Sequence, residues 1–227
     1  MQFFSDNTIN ELPLVLLVVG VVIIGLWISN ILYDLGVPNY ISRKIGHGAG
    51  GLAFLVSFAF SSPAWPIIVA AGLGALLLVA RLVRPETFRG VGGAGRSKTT
   101  MAEVWFAWIA LPVFSISWLW LNKPEVAVTS LLFMAWGDGV TGLVRSQVYH
   151  RQVKGWWGSL AMLIVCLSIS WVFIRPYWIG VAGSLIAVIT EWVFGDNGVI
   201  KWADDNWAIP VTSLASILIL LALTGAL

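Results

Sequence analysis

Eight apolar stretches, each close to the length of helix that spans a bilayer, constrain this chain more than any other feature. They run approximately Leu12 to Tyr33, Ser42 to Ser61, Pro66 to Val83, Met101 to Leu121, Val126 to Val144, Trp156 to Ile174, Tyr177 to Phe194 and Trp207 to Ala226. About 20 residues at a rise of 1.5 Å cover the roughly 30 Å hydrocarbon layer. The breaks between stretches carry turn chemistry, as at Ser61-Ser62-Pro63, Asn122 to Pro124, and Pro176. Only 11% of the residues are charged, against roughly a quarter in a soluble domain. The expected fold is an all-α, polytopic transmembrane helix bundle of about eight spans, one domain over residues 1–227 with no soluble domain.

Lysine and arginine set the expected orientation, because cytoplasmic loops retain positive charge. With the N-terminus outside, Arg43, Lys44, Arg81, Arg84, Arg89, Arg96, Lys98, Arg145, Arg151, Lys154 and Lys201 all fall on the cytoplasmic side, and only Lys123 and Arg175 do not. An even number of spans then leaves both termini outside. Asp6 and Glu11, with no basic residue, precede the first apolar stretch, so a cleaved signal peptide is not expected. The fourteen tryptophans fit the aromatic belts of a bilayer interface, and a net charge of +2 is too small to point to nucleic acid. Cys166 is single and lies in an apolar run, which suits packing and rules out an intrachain disulfide.

Four polar constellations lie near the cytoplasmic ends of these stretches. In Ser42-Arg-Lys-Ile-Gly-His-Gly, helical spacing brings Arg43 and Lys44 onto one face with His47. This is either a pair of snorkelling cations beside an interfacial histidine or an anion-binding cluster with a proton acceptor. In Trp136-Gly-Asp-Gly-Val-Thr-Gly, Asp138 on an apolar helix costs on the order of 2.5 kcal/mol or more unless it is solvated, paired or bound to a cation. Gly137, Gly139 and Gly142 permit close backbone approach, which suits a carboxylate holding hydrated magnesium on nucleotide phosphates. The alternative is Asp138 paired with Arg145 or Lys154 at a tight helix crossing. Lys154-Gly-Trp-Trp-Gly-Ser supplies a lysine within reach of phosphate, or a topology anchor, and Ser159 as a helix cap. Glu191, Asp196, Asn197, Asp204, Asp205 and Asn206 make an acidic loop on a basic face, as expected where a divalent cation is captured. Asp196 and Asp204 read as solvated loop carboxylates; Glu191 differs because it ends an apolar span.

Other patterns carry less. Gly90-Val-Gly-Gly-Ala-Gly95 fits a dinucleotide fingerprint, yet no strand precedes it and no βαβ unit can surround it. It serves either as a flexible hinge or as a backbone cradle for phosphate, with Arg96 and Lys98 adding charge. Two histidines and one cysteine make zinc improbable. Gly46 and Gly50 offer a close-packing surface, compatible with a homodimer.

Taken in order, SRKIGH at Ser42 to His47, GDGVTGLV at Gly137 to Val144, KGWWGSLAM at Lys154 to Met162 and DDNWAIP at Asp204 to Pro210 resemble the membrane polyprenol kinases, which include phytol and dolichol kinases. The phytol kinase branch looks nearest. The chain departs from the family pattern at Thr141, where alanine is usual, near Arg145, where glycine is usual, and at Trp157, where a glutamate precedes the Gly-Ser pair. Trp157 puts one metal or phosphate contact of the family in doubt, for which Glu191 and Glu103 are the candidate substitutes.

The resemblance implies transfer of the terminal phosphoryl group of a nucleotide, CTP in the relatives, to the primary hydroxyl of an isoprenoid alcohol at the cytoplasmic face. It implies Mg2+ or Mn2+ held by Asp138 and Asp205, with Glu191 and Asn206 as further ligands. Arg43, Lys44 and Lys154 would neutralise the triphosphate beside Gly137, Gly139 and Ser159, and His47 or a carboxylate would accept the hydroxyl proton. A membrane cytidylyltransferase is the nearest rival, but its C-terminal PGHGG signature has no counterpart in Ser213 to Leu227. A transporter would carry midplane polar residues between inverted repeats, and neither is readable here.

Overall fold

The computed structural model describes residues 9–92, 101–149, 154–194, 198–200 and 204–227. Arg96, Lys98, Asp196 and Asn197 lie outside them. Three helices open the chain, α1 (Leu12–Asp34), α2 (Asn39–Ser57) and α3 (Ala64–Val83), followed by a short turn, α4 (Arg89–Gly92). A continuous rod then runs through α5 (Ala102–Trp108), α6 (Ala110–Val113) and a π-helical segment, Phe114–Trp120. A second rod joins α7 (Pro124–Leu132), a π-helical segment Phe133–Asp138 and α8 (Gly139–Tyr149). The last three helices are α9 (Trp156–Phe173), α10 (Tyr177–Val193) and α11 (Asp205–Leu223). Among the described residues no named strand occurs, only an isolated bridge between Phe194 and Ile200.

The protein is therefore a polytopic helical bundle, and each of the eight apolar stretches is helical for most of its length. Among the described residues, six helices are long and apolar enough to cross a membrane. The two remaining stretches show why count and hydropathy diverge. Helix α10 is apolar but has 17 residues, while α2 carries Arg43, Lys44 and His47 in its first half. The second stretch also begins and ends earlier than its apolar residues indicate, because Pro38 caps the start and Phe58 closes the end of α2.

The Pro124–Tyr149 rod is the centre of the molecule. Of its most apolar window 78% is buried inside the protein, against 22% for α1 and α3. Val128, Leu131, Leu132, Phe133 and Met134 have no exposed surface. Because lipid tails are as apolar as leucine, helices here are held by close packing and interhelical hydrogen bonds rather than by exclusion of water. Glycines supply the close approach: a Cβ at Gly25 would meet Ala49 Cβ at 2.1 Å, and one at Gly51 would meet Trp136 Nε1 at 2.0 Å. The Trp136 indole N–H donates to the Gly48 carbonyl at 3.2 Å, tying α2 to the central rod. Gly46 and Gly50 are used in the same way, against Val91 and Phe106 of this chain. Cys166 is buried in the core beside Gly137, as expected. Trp120, Trp156, Trp157 and Trp171 are exposed as a belt requires, but Trp118 is buried and Trp136 is packed against the core.

The hinge reading of the glycine-rich segment fails for its first part. Ser42 Oγ donates to the Gly90 carbonyl at 2.8 Å, Asn39 Nδ2 donates to the carbonyls of Arg89 and Gly90, and Gly90 N–H donates to Asn30 Oδ1 at 2.9 Å. A side chain at Gly90 would collide with the backbone of Ser29 at 2.4 Å. Residues 89–92 are thus fastened to α1 and α2, by polar side chains whose long-range partners have no local sequence signal.

Candidate functional site

Side chains from α2, the central rod, the start of α9, the end of α10 and the start of α11 meet at one end of the bundle. The π-helical segment closes on Asp138, and the wider turn shifts the register of the residues that follow it. Lys44 Nζ donates to Asp138 Oδ2 at 2.7 Å, and His47 Nδ1 lies 3.5 Å from the same oxygen. The lysine reaches it because Gly142, one turn on, has no side chain: a Cβ there would fall 2.3 Å from Lys44 Cε.

Glu191 is the second centre, with 1% of its surface exposed. Arg145 grips it with two parallel bonds, Nη1 to Oε1 at 2.8 Å and Nη2 to Oε2 at 3.0 Å. Lys154 Nζ donates both to the Glu191 carboxylate and to its carbonyl. Gly158 makes room for the guanidinium stem, since a Cβ there would sit 2.5 Å from Arg145 Nε. Thr141 Oγ1 donates to the Gly137 carbonyl at 2.9 Å and approaches the Gly158 carbonyl at 3.3 Å, joining the central rod to α9.

The pairing offered from sequence for Asp138 is therefore corrected. Its partner is Lys44, while Arg145 and Lys154 belong to Glu191. Arg145 is the member of this cluster that sequence reasoning undervalued. It stands seven residues after Asp138 and four after Thr141, a helical spacing that puts all three on one face. A buried carboxylate held by two cations is compensated, which is the condition for it to persist in an apolar span.

Asp205, the first residue of α11, completes the cluster. One carboxylate oxygen each from Asp138, Glu191 and Asp205 lies within 4.8 Å of the others. Hard oxygen donors converging from three helices fit Mg2+ or Mn2+ better than a softer ion. Asp204, read as a solvated carboxylate, is instead the N-cap of α11 and accepts from Asn206 N–H at 2.8 Å. Asn206 is buried, its Nδ2 donating to the Ala102 carbonyl at 3.4 Å and its Oδ1 without a hydrogen-bond partner among the described residues. Ser159 does not cap α9, whose cap is Gly155, and its hydroxyl is buried without a partner among the described residues. Trp157 is exposed, and Glu103 pairs with Arg81 at 3.5 Å, so of the two substitutes only Glu191 is one of the three clustered carboxylates. Gly137 packs on Met162 and Cys166, while Gly139 lies beside His47.

An apolar groove leads away from this cluster between α1, α2, α3 and α5, with Arg43, His47, Glu103 and Asn206 at its polar end. His47 is thus common to the groove and to the Asp138 pair.

The chain is similar to the phytol kinase of Synechocystis sp., 26% identical over 188 residues that make up 78% of this chain and 77% of that protein. No protein-family model and no solved structure matches it. That similarity is spread over most of both sequences.

Proposed function

We propose that the chain is a membrane lipid kinase which transfers the terminal phosphate of a nucleotide, CTP by preference, to the primary hydroxyl of an isoprenoid alcohol at the cytoplasmic face. The observation that carries this reading is the union of two environments in one place: a buried cluster of three carboxylates and three cations, opening onto an apolar groove through His47. A phosphoryl donor needs the first and a lipid alcohol the second. The similarity to a phytol kinase supports the same reaction class.

Transfer of a phosphoryl group proceeds through a loose transition state, so alignment and charge neutralisation supply most of the rate. Asp138 and Asp205 would hold magnesium, which would supply neutralisation of phosphate charge there. Lys44 and Lys154 balance carboxylates in the cluster, and their ammonium groups are within reach of an incoming triphosphate. Arg145 keeps Glu191 in register and so aligns Lys154. The acceptor hydroxyl approaches from the groove, its proton passing to His47 or to Asp138 as its oxygen bonds to the terminal phosphorus and the nucleoside diphosphate leaves.

The test uses purified protein in detergent or nanodiscs, labelled CTP or ATP, magnesium, and a panel of prenols. Release of nucleoside diphosphate with a phosphorylated prenol, abolished by a chelator, is the expected result. Release of pyrophosphate would mark a cytidylyltransferase, and absence of any nucleotide turnover would remove the kinase reading.

A further inference from the structure

We infer that the groove along α2 is a length gauge for the acceptor lipid, enclosing a farnesyl chain and most of a geranylgeranyl or phytyl chain and excluding dolichol-length polyprenols from full enclosure. The inference rests on the lipid kinase reading and deepens it.

One face of α2 builds the gauge. Arg43, His47, Gly50, Phe54 and Ser57 recur at helical spacing and all line the groove. From His47 to Ser57 is ten residues, or about 15 Å at the rise of an α-helix, roughly half the hydrocarbon thickness. The lining changes character along that path. Its near end is polar, with Arg43, His47, Glu103 and Asn206; its far end is Ser57, Pro66 and Phe114, where α2 itself terminates. Phe106 forms a fixed wall between the ends. It lies 4.7 Å from the His47 ring and 5.7 Å from the Phe54 ring, and fills the space that a Cβ on Gly50 would need.

Helices α1 and α3 both line the groove and are the least buried of the long apolar helices among the described residues, with Leu26 and Leu77 packed in one small core. On the proposed reading a lipid chain enters from the lipid-facing side of these helices, with its hydroxyl directed to His47. Bilayer tails already solvate a prenyl chain, so enclosure gains little from leaving water. Discrimination by this groove must therefore be steric, set by where it ends. A farnesyl chain laid out from His47 reaches that end, a geranylgeranyl or phytyl chain passes it by about one isoprene unit, and a dolichol-type chain overruns it several times.

The test plugs the far end. Ser57→Trp should lower the ratio of kcat/KM for geranylgeraniol to that for geraniol by about tenfold or more, and Ala70→Trp, halfway along, should lower the ratio for farnesol to geraniol as well. Leu76→Trp, on the exposed face of α3, is the control and should leave both ratios as in the wild type. Equal loss on all chain lengths, or an unchanged ratio in both plugged variants, overturns the gauge. A second measurement does not need turnover: a geranylgeraniol analogue with a diazirine at its far end, irradiated with the wild-type protein, should label peptides containing Ser57, Pro66 or Phe114. Labelling confined to Leu76, Val79 or Leu82 overturns the gauge. Labelling in the groove of a protein that phosphorylates no prenol upholds the groove and overturns the kinase reading.

Discussion

The Pro124–Tyr149 rod and α3 are both apolar helices of membrane-spanning length, and they are used in opposite ways. Helix α3 is the more apolar, with a mean hydropathy of 2.3 against 1.4, yet only 22% of its window is buried in the protein against 78% for the rod. Lipid is an adequate solvent for α3, which needs few protein neighbours. The rod carries Asp138, Arg145, Thr129 and Ser130, and such groups are tolerated at membrane depth only where protein surrounds them. In this bundle it is the helix that hydropathy ranks lower that occupies the centre and bears the chemistry.

That contrast can be broken most forcefully at Arg145. Arg145→Met removes the bidentate partner of Glu191 and should destabilise the protein by about 3–5 kcal/mol in reversible detergent unfolding, because a buried carboxylate is left with one cation. Adding Glu191→Met should recover most of that stability without recovering activity. A single variant as stable as the wild type would show that the pair is not what keeps the rod inside.

Next in size is Asp138→Asn, which preserves shape and the path of the helix. Turnover should fall by at least about a hundredfold in a protein that still folds in detergent, with some loss of stability because Lys44 keeps only the neutral amide as partner. Full activity in the Asp138→Asn variant would remove the centre of the proposed mechanism. Gly142→Val is subtler, since a Cβ at this position falls 2.3 Å from Lys44 Cε and the new side chain must displace the lysine stem. An expected loss of about tenfold in kcat/KM, with chief effect on nucleotide KM, follows from misplacing one charge-assisted contact. Lys44→Met should then cost as much alone as together with Gly142→Val, and additive losses would mean that the glycine serves something else.

The smallest effect belongs to α3. Leu76→Ala and Val79→Ala, on its exposed face, should change stability by no more than about 0.5 kcal/mol. Larger losses would mean that this face is covered by protein, and the comparison between solvent helix and core helix would need redrawing.

Much of this is legible in the string of residues. The apolar stretches, the all-helical architecture and the burial of Cys166 follow from composition and periodicity, since a bilayer accepts little else. The same holds for the recognition that Asp138 in an apolar run must have a compensating partner. Which partner it has is not legible there. Lys44, Arg145 and Lys154 are equivalent as charges in a string of letters, and only helix packing decides that Lys44 passes over Gly142 while Arg145 passes over Gly158. Ser159 shows the same limit, because a hydroxyl near a helix start reads as a cap until the backbone assigns that position to Gly155.

The amino-acid sequence by itself determined that this protein lives in a membrane as a helix bundle, and which residue types it keeps for chemistry. Tertiary structure alone decided that three carboxylates from three helices approach within 4.8 Å, and that residues of α1, α2, α3 and α5 frame one groove. The physical reason is range. Hydropathy and helical spacing are properties of neighbours along the chain, whereas a charge cluster and a groove are made by side chains far apart in sequence, brought together only once the helices have packed.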